Sequence, residues 1–381
     1  MPDDRPLYRK SDSFEEVRGR RGDAATLRSR LAEFSQTFDS KGMGTHFASV
    51  VKRALADVLD PTKEAKFSLT AHAATEMLGV SDDDLARYLF YRYRYEVFPV
   101  IHELDDFPPC LQIEPTSRCN YRCVFCYQTD VEFTAAAQGH MGAMDFNLFQ
   151  RVVDQAQGHC EAITLASRGE PLLCPDIIKM LTYLRGKFLA LKINTNASFL
   201  DEKMAHALLA LESATIVFSA DAATEPLYSR LRVHGHLDRV LENVRRFHDL
   251  REKYYPRSRV ITRVAGVRFT EEQSMDDMEK IWGDLVDQVA FVTYNPWENV
   301  YAAPLSGISA PCSDLWRRMF VWWDGRVNPC DVDFKSTLVV GNTKEDNLSR
   351  IWAGESYQAL RRDHIENRRP TRRPCCGCTV L

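Results

Sequence analysis

The stretch LQIEPTSRCNYRCVFCYQ, residues 111–128, joins an apolar run to a loop that holds three cysteines within eight residues. Its first part, LQIEPT, has the pattern of a short buried β-strand. Cys119, Cys123 and Cys126 follow that strand almost directly. Because functional residues of parallel α/β sheets lie at the carboxyl ends of the strands, the stretch predicts a reactive metal-binding loop at the mouth of such a sheet.

Five further strand patterns follow, separated by amphipathic helical patterns. They are AITLAS, ALKINTN, ATIVFSAD, RVITRVAGV and DQVAFVTY, which begin at residues 162, 190, 214, 259 and 287. Six βα units in succession predict a parallel sheet with right-handed crossovers. Since six units are fewer than a closed eightfold barrel requires, we expect an α/β fold built on a partial (β/α)6 TIM-like barrel.

The regions on either side of the barrel differ from it in pattern. The first 109 residues favour helices, as in PTKEAKFSLTAHAATEMLGV (61–80) and SDDDLARYLFYRYRYEV (81–97), the latter with a serine cap followed by acids. The interleaved tyrosines and arginines could stack on bases, but we interpret them as an amphipathic packing face with snorkelling arginines. We predict a helical N-terminal region (1–109), a barrel (110–305) and a small cysteine-rich domain (306–381).

Composition narrows the class of protein. The 381 residues carry a net charge of -4, which argues against a nucleic acid as the main partner. No stretch approaches the ~20 apolar residues of a membrane span, and the first residues lack a signal-peptide core. We therefore expect a cytoplasmic protein, in which eleven clustered cysteines indicate metal rather than disulfides. The isolated Cys110, Cys160 and Cys174 are interpreted as small core residues.

The cysteine loop CNYRCVFC resembles the CxxxCxΦC loop of the radical S-adenosylmethionine (SAM) superfamily, with Phe125 at the apolar position. The resemblance implies that Cys119, Cys123 and Cys126 hold a [4Fe–4S] cluster whose fourth iron is left for SAM. It also implies that an electron, from a donor such as flavodoxin or ferredoxin, cleaves SAM to a 5'-deoxyadenosyl radical that abstracts hydrogen from a substrate. A zinc site completed by a distant ligand is the alternative.

The resemblance continues to residue 381 and assigns further contacts with SAM. ASRGEPLL resembles a GGEP element whose glutamate receives the SAM ammonium group, INTNA resembles a TNG turn, and FSADAATEPLYSRLR resembles a segment that contacts ribose and carboxylate. An arginine suits a carboxylate on electrostatic grounds. The implied contacts are Tyr127, Glu170, Asn196, Ser219 and Arg232.

Two positions depart from the family pattern. Arg168 stands where glycine is usual, so it either reaches into the mouth to bind an anionic substrate or turns outward. Ala197 replaces the glycine of the TNG turn, so Asn194 and Asn196 either face the cofactor or cap a turn.

A second cysteine group lies near the carboxyl terminus. Twelve residues separate Cys312 from Gly325, four separate Gly325 from Cys330, and 44 more precede the CCGC at 375–378. The spacing resembles the CX9-15GX4C opening of SPASM and twitch domains, which implies one auxiliary [4Fe–4S] cluster. Zinc with the same ligands is the alternative, and Cys376 could replace Cys375. The implied ligands are Cys312, Cys330, Cys375 and Cys378.

The cluster pattern resembles that of 2-deoxy-scyllo-inosamine dehydrogenase-like twitch proteins, which implies that an oxidoreductase acts on a hydroxylated small molecule. The leading hypothesis is oxidation of a secondary alcohol of a sugar or aminocyclitol. Epimerisation or dehydration of a carbohydrate, maturation of a peptide or protein, and a non-enzymatic metal-binding role are the alternatives. Polar candidates at the mouth are Arg168, Asn196, Arg263 and the YNPWEN segment at 294–299. The catalytic base stays open among Glu114, Arg263, Tyr294 and Glu298.

Overall fold

The computed structural model describes residues 7–9, 13–20, 22–39, 41–60 and 66–381. The strands are β1 (Phe14–Gly19), β2 (Cys110–Ile113), β3 (Arg122–Cys123), β4 (Ala162–Leu165), β5 (Ala190–Thr195), β6 (Thr215–Ser219), β7 (Arg232–Val233), β8 (Ile261–Arg268), β9 (Gln288–Thr293), β10 (Arg318–Val321), β11 (Arg326–Asn328) and β12 (Gly341–Asn342). The helices are α1 (Ala24–Thr37), α2 (Thr45–Leu59), α3 (Ala71–Leu78), α4 (Leu85–Glu96), α5 (Phe98–Ile101), α6 (Val131–Thr134), α7 (Phe146–Ala156), α8 (Ile177–Leu184), α9 (Glu202–Leu209), α10 (Glu225–Leu231), α11 (Leu237–Tyr254), α12 (Met275–Trp282), α13 (Asp314–Arg317), α14 (Leu348–Ala353) and α15 (Glu355–Ile365).

One large sheet organises the fold, with strand order β1-β9-β8-β6-β5-β4-β2-β10-β11-β12. The six strands predicted from the sequence are β2, β4, β5, β6, β8 and β9, and neighbouring members of this set are parallel. Amphipathic helices lie between them in sequence, as expected. The prediction of an α/β fold with a partial TIM-like barrel is confirmed.

Alternation along the strands separates the two faces of this sheet. In β5, Leu191 and Ile193 are buried in the large core that also contains residues of α8 and α9. Lys192 and Asn194 point to the opposite face, because successive side chains of a strand alternate, and they keep some accessible surface. The concave side of the sheet is therefore lined by the more polar set.

The N-terminal helices cover the amino ends of the central strands. Residues of α1, α2 and α4 form a second apolar core that also includes Cys110 and Ala162, with Ala190 packed against it. These three residues begin β2, β4 and β5 and are aligned in register. The helical region thus closes one end of the partial barrel.

The tyrosine- and arginine-rich helix α4 differs from its predicted amphipathic form. The two arginines between its tyrosines do not snorkel, since Arg92 and Arg94 are 6% and 2% exposed. Arg94 pairs with Asp105 at 2.7 Å and donates to the carbonyl of His159 at 3.2 Å, and Arg92 pairs with Glu96. A guanidinium is tolerated inside a protein when a carboxylate balances its charge, as Asp105 and Glu96 do here.

Two further parts of the N-terminal region depart from the sequence reading. Helix α3 begins only at Ala71, where Thr70 caps it; residues 61–65 of the predicted helical stretch lie outside the described residues. Residues 14–19, expected to be helical, instead form β1, which pairs antiparallel with β9. This strand is rich in charged residues, and its partner lies far along the chain, so local pattern could not reveal it.

The cysteine-rich C-terminal segment joins the same sheet. β10 pairs in parallel with β2, the strand that precedes the cysteine loop, and β11 turns back antiparallel through Gly325. Gly325 has a φ of +91°, which favours glycine. The predicted boundary at residue 306 therefore falls ahead of strands that extend the barrel sheet, and the domain limits stay a prediction. Across the described residues, no helix combines the length and apolarity that crossing a membrane demands.

Candidate functional site

The cysteine loop is fixed by a two-stranded ribbon. β3 pairs antiparallel with β7, which sets Cys123 opposite Arg232. The amide of Val124 extends the ribbon by donating to the carbonyl of Leu231 at 3.0 Å. Two segments more than 100 residues apart in sequence therefore meet at the loop predicted to hold metal.

Each thiol of the loop has a hydrogen-bond donor beside it. The amide of Tyr121 lies 3.5 Å from Sγ of Cys119, and the amide of Gln128 lies 3.5 Å from Sγ of Cys126. The Arg232 guanidinium lies 3.7 Å from Sγ of Cys123. Donors of this kind favour thiolate ligands and tune clusters that thiolates hold.

Burial raises the pKa of all three thiols, and their influence on one another shows that they converge. The pKa of Cys119 rises to about 12, through burial and then the Glu170 and Cys123 charges. Burial and the Cys123 charge raise the pKa of Cys126. In the described part of the chain, no three His, Cys, Asp or Glu side chains are placed to coordinate a single metal ion. The three thiols fit a shared group that displaces their protons on binding.

The RGEP element, residues 168–171, is bound directly to the start of this loop. The amide of Glu170 donates to the carbonyl of Arg118 at 2.9 Å. At Gly169 a Cβ would lie 2.3 Å from the carbonyl oxygen of Thr116, so the close approach of the two backbones requires glycine. Cysteine loop and RGEP element are therefore held as one unit.

Glu170 is a buried carboxylate that no described residue pairs with in a salt bridge. It is 3% exposed and accepts from the amides of Leu172 (3.1 Å) and Asn196 (2.7 Å) and the hydroxyl of Thr195 (2.6 Å). Burial is the largest cause of its raised pKa. A buried carboxylate is costly unless a cation balances it, so the position fits the ammonium group that the family resemblance assigns to it.

Asn196 and Ser219 lie at the carboxyl ends of their strands. Asn196 follows β5, donates to Oδ1 of Asn120 in the cysteine loop at 3.0 Å, and accepts from the amide of Ser198 at 3.0 Å. Ser219 ends β6 and keeps some accessible surface. Both stand at the predicted mouth, and their roles stay a prediction.

Arg232 is held beside the cysteine loop by a residue that the sequence did not single out. Its Nε lies 2.5 Å from Oδ2 of Asp221, which is fully buried. The amide of Val267 donates to the other oxygen of Asp221 at 2.6 Å. The Asp221 charge counters the effect of burial and helps to raise the pKa of Arg232. The guanidinium is thereby fixed and charged at the mouth.

Tyr127 is buried between the loop and the C-terminal segment. Its hydroxyl donates to the carbonyl of Ser167 at 2.7 Å, and its ring stacks on Phe334 with centroids 4.9 Å apart. Trp297 also packs against the ring, at 5.6 Å. The predicted SAM contact of Tyr127 stays a prediction; the structure shows a residue that connects three segments.

Arg168 takes neither of the two positions expected for it. It is 1% exposed and its guanidinium pairs with Glu114, with Nε 2.6 Å from Oε2 and Nη2 2.5 Å from Oε1. Nη1 donates to the carbonyl of Phe334 at 3.0 Å, and the guanidinium lies 4.2 Å from the Trp322 ring. Arg168 is thus neither a substrate ligand nor an exposed side chain, and Glu114 is occupied rather than available as a base.

The remaining candidates for a catalytic base divide between the two ends of the barrel. The hydroxyl of Tyr294 donates to Glu298, and burial raises the pKa of Tyr294. Both follow β9 at the carboxyl end. Arg263 is 3% exposed and donates to Oε1 of Gln288 at 2.8 Å.

The late cysteines form a second convergent group. Burial and then the charge of neighbouring Asp314 raise the pKa of Cys312 to about 11, and Cys378 contributes to the rise. Burial, followed by the Cys378 and Cys312 charges, raises the pKa of Cys375. Cys375 and Cys312 act on Cys330 in the same way. Four thiolates saturate a structural zinc or an electron-transfer cluster, so the donor set fits the auxiliary group predicted from the sequence.

Arg369 binds the backbone around this second group. It is 1% exposed and donates to the carbonyls of Ala310 (2.9 Å), Cys378 (2.9 Å) and Val380 (2.8 Å), with a longer contact to Cys375 at 3.4 Å. It makes no ion pair with a described residue. One buried positive charge therefore connects the terminal loop, at residues 375–380, to the segment at Ala310.

An apolar cluster connects the two groups. Tyr127, Phe133, Phe334 and Cys378 belong to it, and Cys126, Cys312 and Cys330 pack against it. Phe334 packs on Tyr127 and, at 5.1 Å, on Tyr301. Aromatic side chains thus fill the space between the loop after β2 and the terminal cysteines.

Several residues of the site were missed by sequence reasoning. Asp221 and Arg369 carry no spacing signal, since each acts on a partner brought near by the fold. Gln128 could have been found from the sequence, because it lies just after the cysteine loop. Its side-chain Nε2 donates to the carbonyl of Ser117 at 2.8 Å. A polar side chain beside a ligand loop is a reasonable candidate for holding that loop.

Comparison with known proteins identifies the class. Residues 113–281 match the family described as the Radical SAM superfamily. The chain therefore contains a radical SAM domain, and the cofactors of such a domain are SAM and a [4Fe–4S] cluster. Residues 312–379 match SPASM, described as an iron-sulfur cluster-binding domain, so an auxiliary-cluster domain follows the radical SAM domain.

Individual relatives are more distant. The tungsten-containing aldehyde ferredoxin oxidoreductase cofactor-modifying protein of Pyrococcus furiosus is 31% identical over 129 residues, which cover 33% of this chain and 34% of that protein. The chain therefore spans about a third of that relative's length. The S-adenosyl-L-methionine-dependent 2-deoxy-scyllo-inosamine dehydrogenase of Niallia circulans is 23% identical over 281 residues, 72% of this chain and 94% of that protein.

The fold also has a solved counterpart. Streptococcus suis SuiB, in its crystal structure with the precursor peptide SuiA, superposes with a TM-score of 0.51 at 15% identity. The match covers 83% of this chain and 79% of SuiB. At this identity the likeness concerns the fold alone.

Proposed function

We propose that this protein is a radical SAM oxidoreductase that removes hydrogen from a hydroxylated small molecule, most simply by oxidising a secondary alcohol. The observation that carries the proposal is the buried Glu170 carboxylate, without an ion-pair partner among the described residues, beside three convergent thiols. When bound, SAM and its cluster supply the 5'-deoxyadenosyl radical, and the auxiliary cluster supplies an electron acceptor. The chain's own residues position these groups.

Each residue has a definite part in that positioning. Cys119, Cys123 and Cys126 would hold the first cluster, and Glu170 would neutralise the SAM ammonium group. Arg232, fixed by Asp221, would hold the SAM carboxylate. Tyr127, Asn196 and Ser219 complete the proposed contacts; Asn196 is tied to the loop through Asn120.

The auxiliary site supports oxidation over chemistry without net electron loss. Converting a secondary alcohol to a ketone removes two hydrogens: one leaves as an atom, the other as a proton and an electron. Cys312, Cys330, Cys375 and Cys378 would hold the group that accepts this electron. Since four protein ligands saturate a cluster, it has no position for substrate.

Relatives support the same reading. The Niallia protein is named as a dehydrogenase, and the match covers nearly its whole length. We place the reaction in the cytoplasm, with flavodoxin or ferredoxin as reductant; all eleven cysteines are free thiols, as that compartment requires. Epimerisation, dehydration or peptide modification would yield other products and are separated by the test.

The test is anaerobic reconstitution of the wild type beside the Cys119→Ala/Cys123→Ala/Cys126→Ala variant, with iron, sulfide and 5'-deoxyadenosine measured after addition of dithionite and SAM. We expect about eight irons in the wild type and about four in the variant, with 5'-deoxyadenosine from the wild type alone. Zinc in place of iron, or intact SAM in a fully loaded wild type, would contradict the proposal. A ketone product identifies oxidation, and its absence with continued SAM cleavage favours the other reactions.

A further inference from the structure

Strand β5 runs from the helical cap to the cofactor mouth, and one face of it lines the space between them. Ala190 packs against the N-terminal helical core. Asn196, directly after the strand, contacts the cysteine loop through Asn120. Lys192 and Asn194 lie between these two points on the same face, because side chains alternate along a strand. Lys192 is about 13 Å along the strand from Asn196, at about 3.3 Å per residue.

The two intermediate side chains have polar groups without a partner in the part of the chain that the structure describes. No hydrogen bond or ion pair joins Lys192 to another described residue, and Oδ1 of Asn194 is buried without a hydrogen-bond partner. Both residues keep some accessible surface although they lie inside the sheet's concavity. A lysine in such a place needs a counter-charge, because transfer of an ammonium group from water into a protein is unfavourable.

The surroundings of Lys192 add positive charge. Thr164 is its register partner on β4, and Gln112 continues the same layer on β2, so the adjacent wall is polar but uncharged. Burial, then Arg263 and Arg318, lower the pKa of Lys192 to about 8, while Glu76 is the one carboxylate among its main influences. Arg263 and Arg318 therefore oppose the charge on Lys192, and Glu76 offsets them only in part.

We propose that Lys192, with Asn194, binds an anionic group of the substrate inside the barrel, so that the substrate is a hydroxylated carboxylate or phosphate. The inference rests on the proposed oxidation of a hydroxylated small molecule and narrows its substrate class. The anion supplies the counter-charge that Lys192 lacks in the protein. Asn194 accepts a hydrogen bond from a substrate hydroxyl, since its Oδ1 is free.

The inference separates this chain from its aminocyclitol-acting relative. An inosamine carries an amine, which is a cation at neutral pH, and the ammonium group of Lys192 repels it. A sugar acid or sugar phosphate is attracted by the same residues. Net charge at Lys192 therefore distinguishes two substrates of similar size and hydroxylation.

The test measures binding of inorganic phosphate to the full-length protein, reconstituted with SAM, by calorimetry at constant ionic strength. The variants are Lys192→Met, which removes the charge at similar length, Lys192→Arg, which keeps it, and Lys179→Met, which removes an exposed charge on α8. Parallel titrations with acetate and with ethanolamine compare a carboxylate and an amine. Circular dichroism and thermal unfolding verify that each variant is folded.

We expect Lys192→Met to weaken phosphate binding by at least about fivefold, with Lys192→Arg and Lys179→Met within about twofold of the wild type. A smaller loss, no phosphate binding by the wild type, or a preference for ethanolamine would overturn the inference. Formation of 5'-deoxyadenosine with dithionite is measured on the same samples. Its absence would count against the proposed function while leaving the phosphate result intact, so the two failures are distinguishable.

Discussion

The two cysteine groups are assembled in opposite ways. The first comes from eight consecutive residues and is positioned by a short ribbon and by the RGEP backbone. The second combines residues from positions 312 to 378 and depends on a buried arginine that binds carbonyls of two segments distant in sequence. A local group can keep one coordination position open because its loop alone sets its geometry. A group gathered from distant segments is better suited to a saturated cluster, which also fastens those segments together.

The charges beside the two groups differ as well. Arg232 at the first group is paired with Asp221, at 2.5 Å. Arg369 at the second group is bound only by carbonyl oxygens, as far as the described residues show. The first arginine remains suited to receiving a carboxylate, whereas the second stabilises negative charge on the group that the terminal cysteines would hold.

Replacing the ligands of each cysteine group in turn should give the largest difference, in SAM cleavage and in product formation. The first-loop triple variant is expected to lower 5'-deoxyadenosine formation by at least about a thousandfold, the loss of an essential cofactor. Cys312→Ala/Cys330→Ala should keep cleavage within about tenfold but form no oxidised product. Product analysis by mass spectrometry on the same samples checks both. Equal loss of SAM cleavage in the two variants would contradict the separate roles proposed for the first cluster, SAM cleavage, and for the auxiliary cluster, electron acceptance.

The terminal CCGC provides a narrower comparison within the second group. Cys375→Ser should reduce the iron content from about eight to about four per chain, since Cys375 interacts electrostatically with the other late thiols. Cys376→Ser, its matched control, should keep about eight, because Cys376 is not among the main influences on the pKa of Cys312, Cys330 or Cys375. Iron analysis decides between them, and the reverse pattern would assign the ligand to Cys376.

The ion pair between Arg168 and Glu114 lies where the barrel contacts the C-terminal segment, at Phe334 and Trp322. Arg168→Met leaves Glu114 buried and uncompensated, so it should lower the free energy of unfolding by about 3–5 kcal/mol. Arg230→Met breaks an exposed pair with Glu272 and should cost less than about 1 kcal/mol. Urea unfolding of the reconstituted proteins measures both. Similar losses in the two variants would show that burial of the pair is unimportant.

Neutralising Arg369 should have the smallest effect. Arg369→Gln removes one positive charge beside the auxiliary group and should shift the reduction potential of that cluster negative, on the order of 50–100 mV for a nearby, partly screened charge. Redox titration followed by electron paramagnetic resonance resolves the two clusters. The potential of the first cluster serves as the internal control, and a parallel shift of both would point to a general structural change.

The sequence predicted what depends on local pattern. The six central strands were readable from apolar runs such as ALKINTN, and the cysteine loop from its spacing after LQIEPT. Strand β1 and the pairing of β10 with β2 were not, because both depend on a partner strand distant in sequence. Arg168 was misread for a related reason: its partners Glu114 and Phe334 lie 54 and 166 residues away. Pairings at such separations are selected by the fold rather than by the neighbouring residues.

The pairing of β10 with β2 has a consequence for dividing the protein. If the chain were cut before residue 306, β2 would become an edge strand with unpaired amide and carbonyl groups. Such edges recruit other chains, so an isolated barrel would be prone to aggregation. The same cut would expose the strand that leads into the cysteine loop. Although family descriptions treat the two parts as separate modules, here the C-terminal module protects the barrel from self-association.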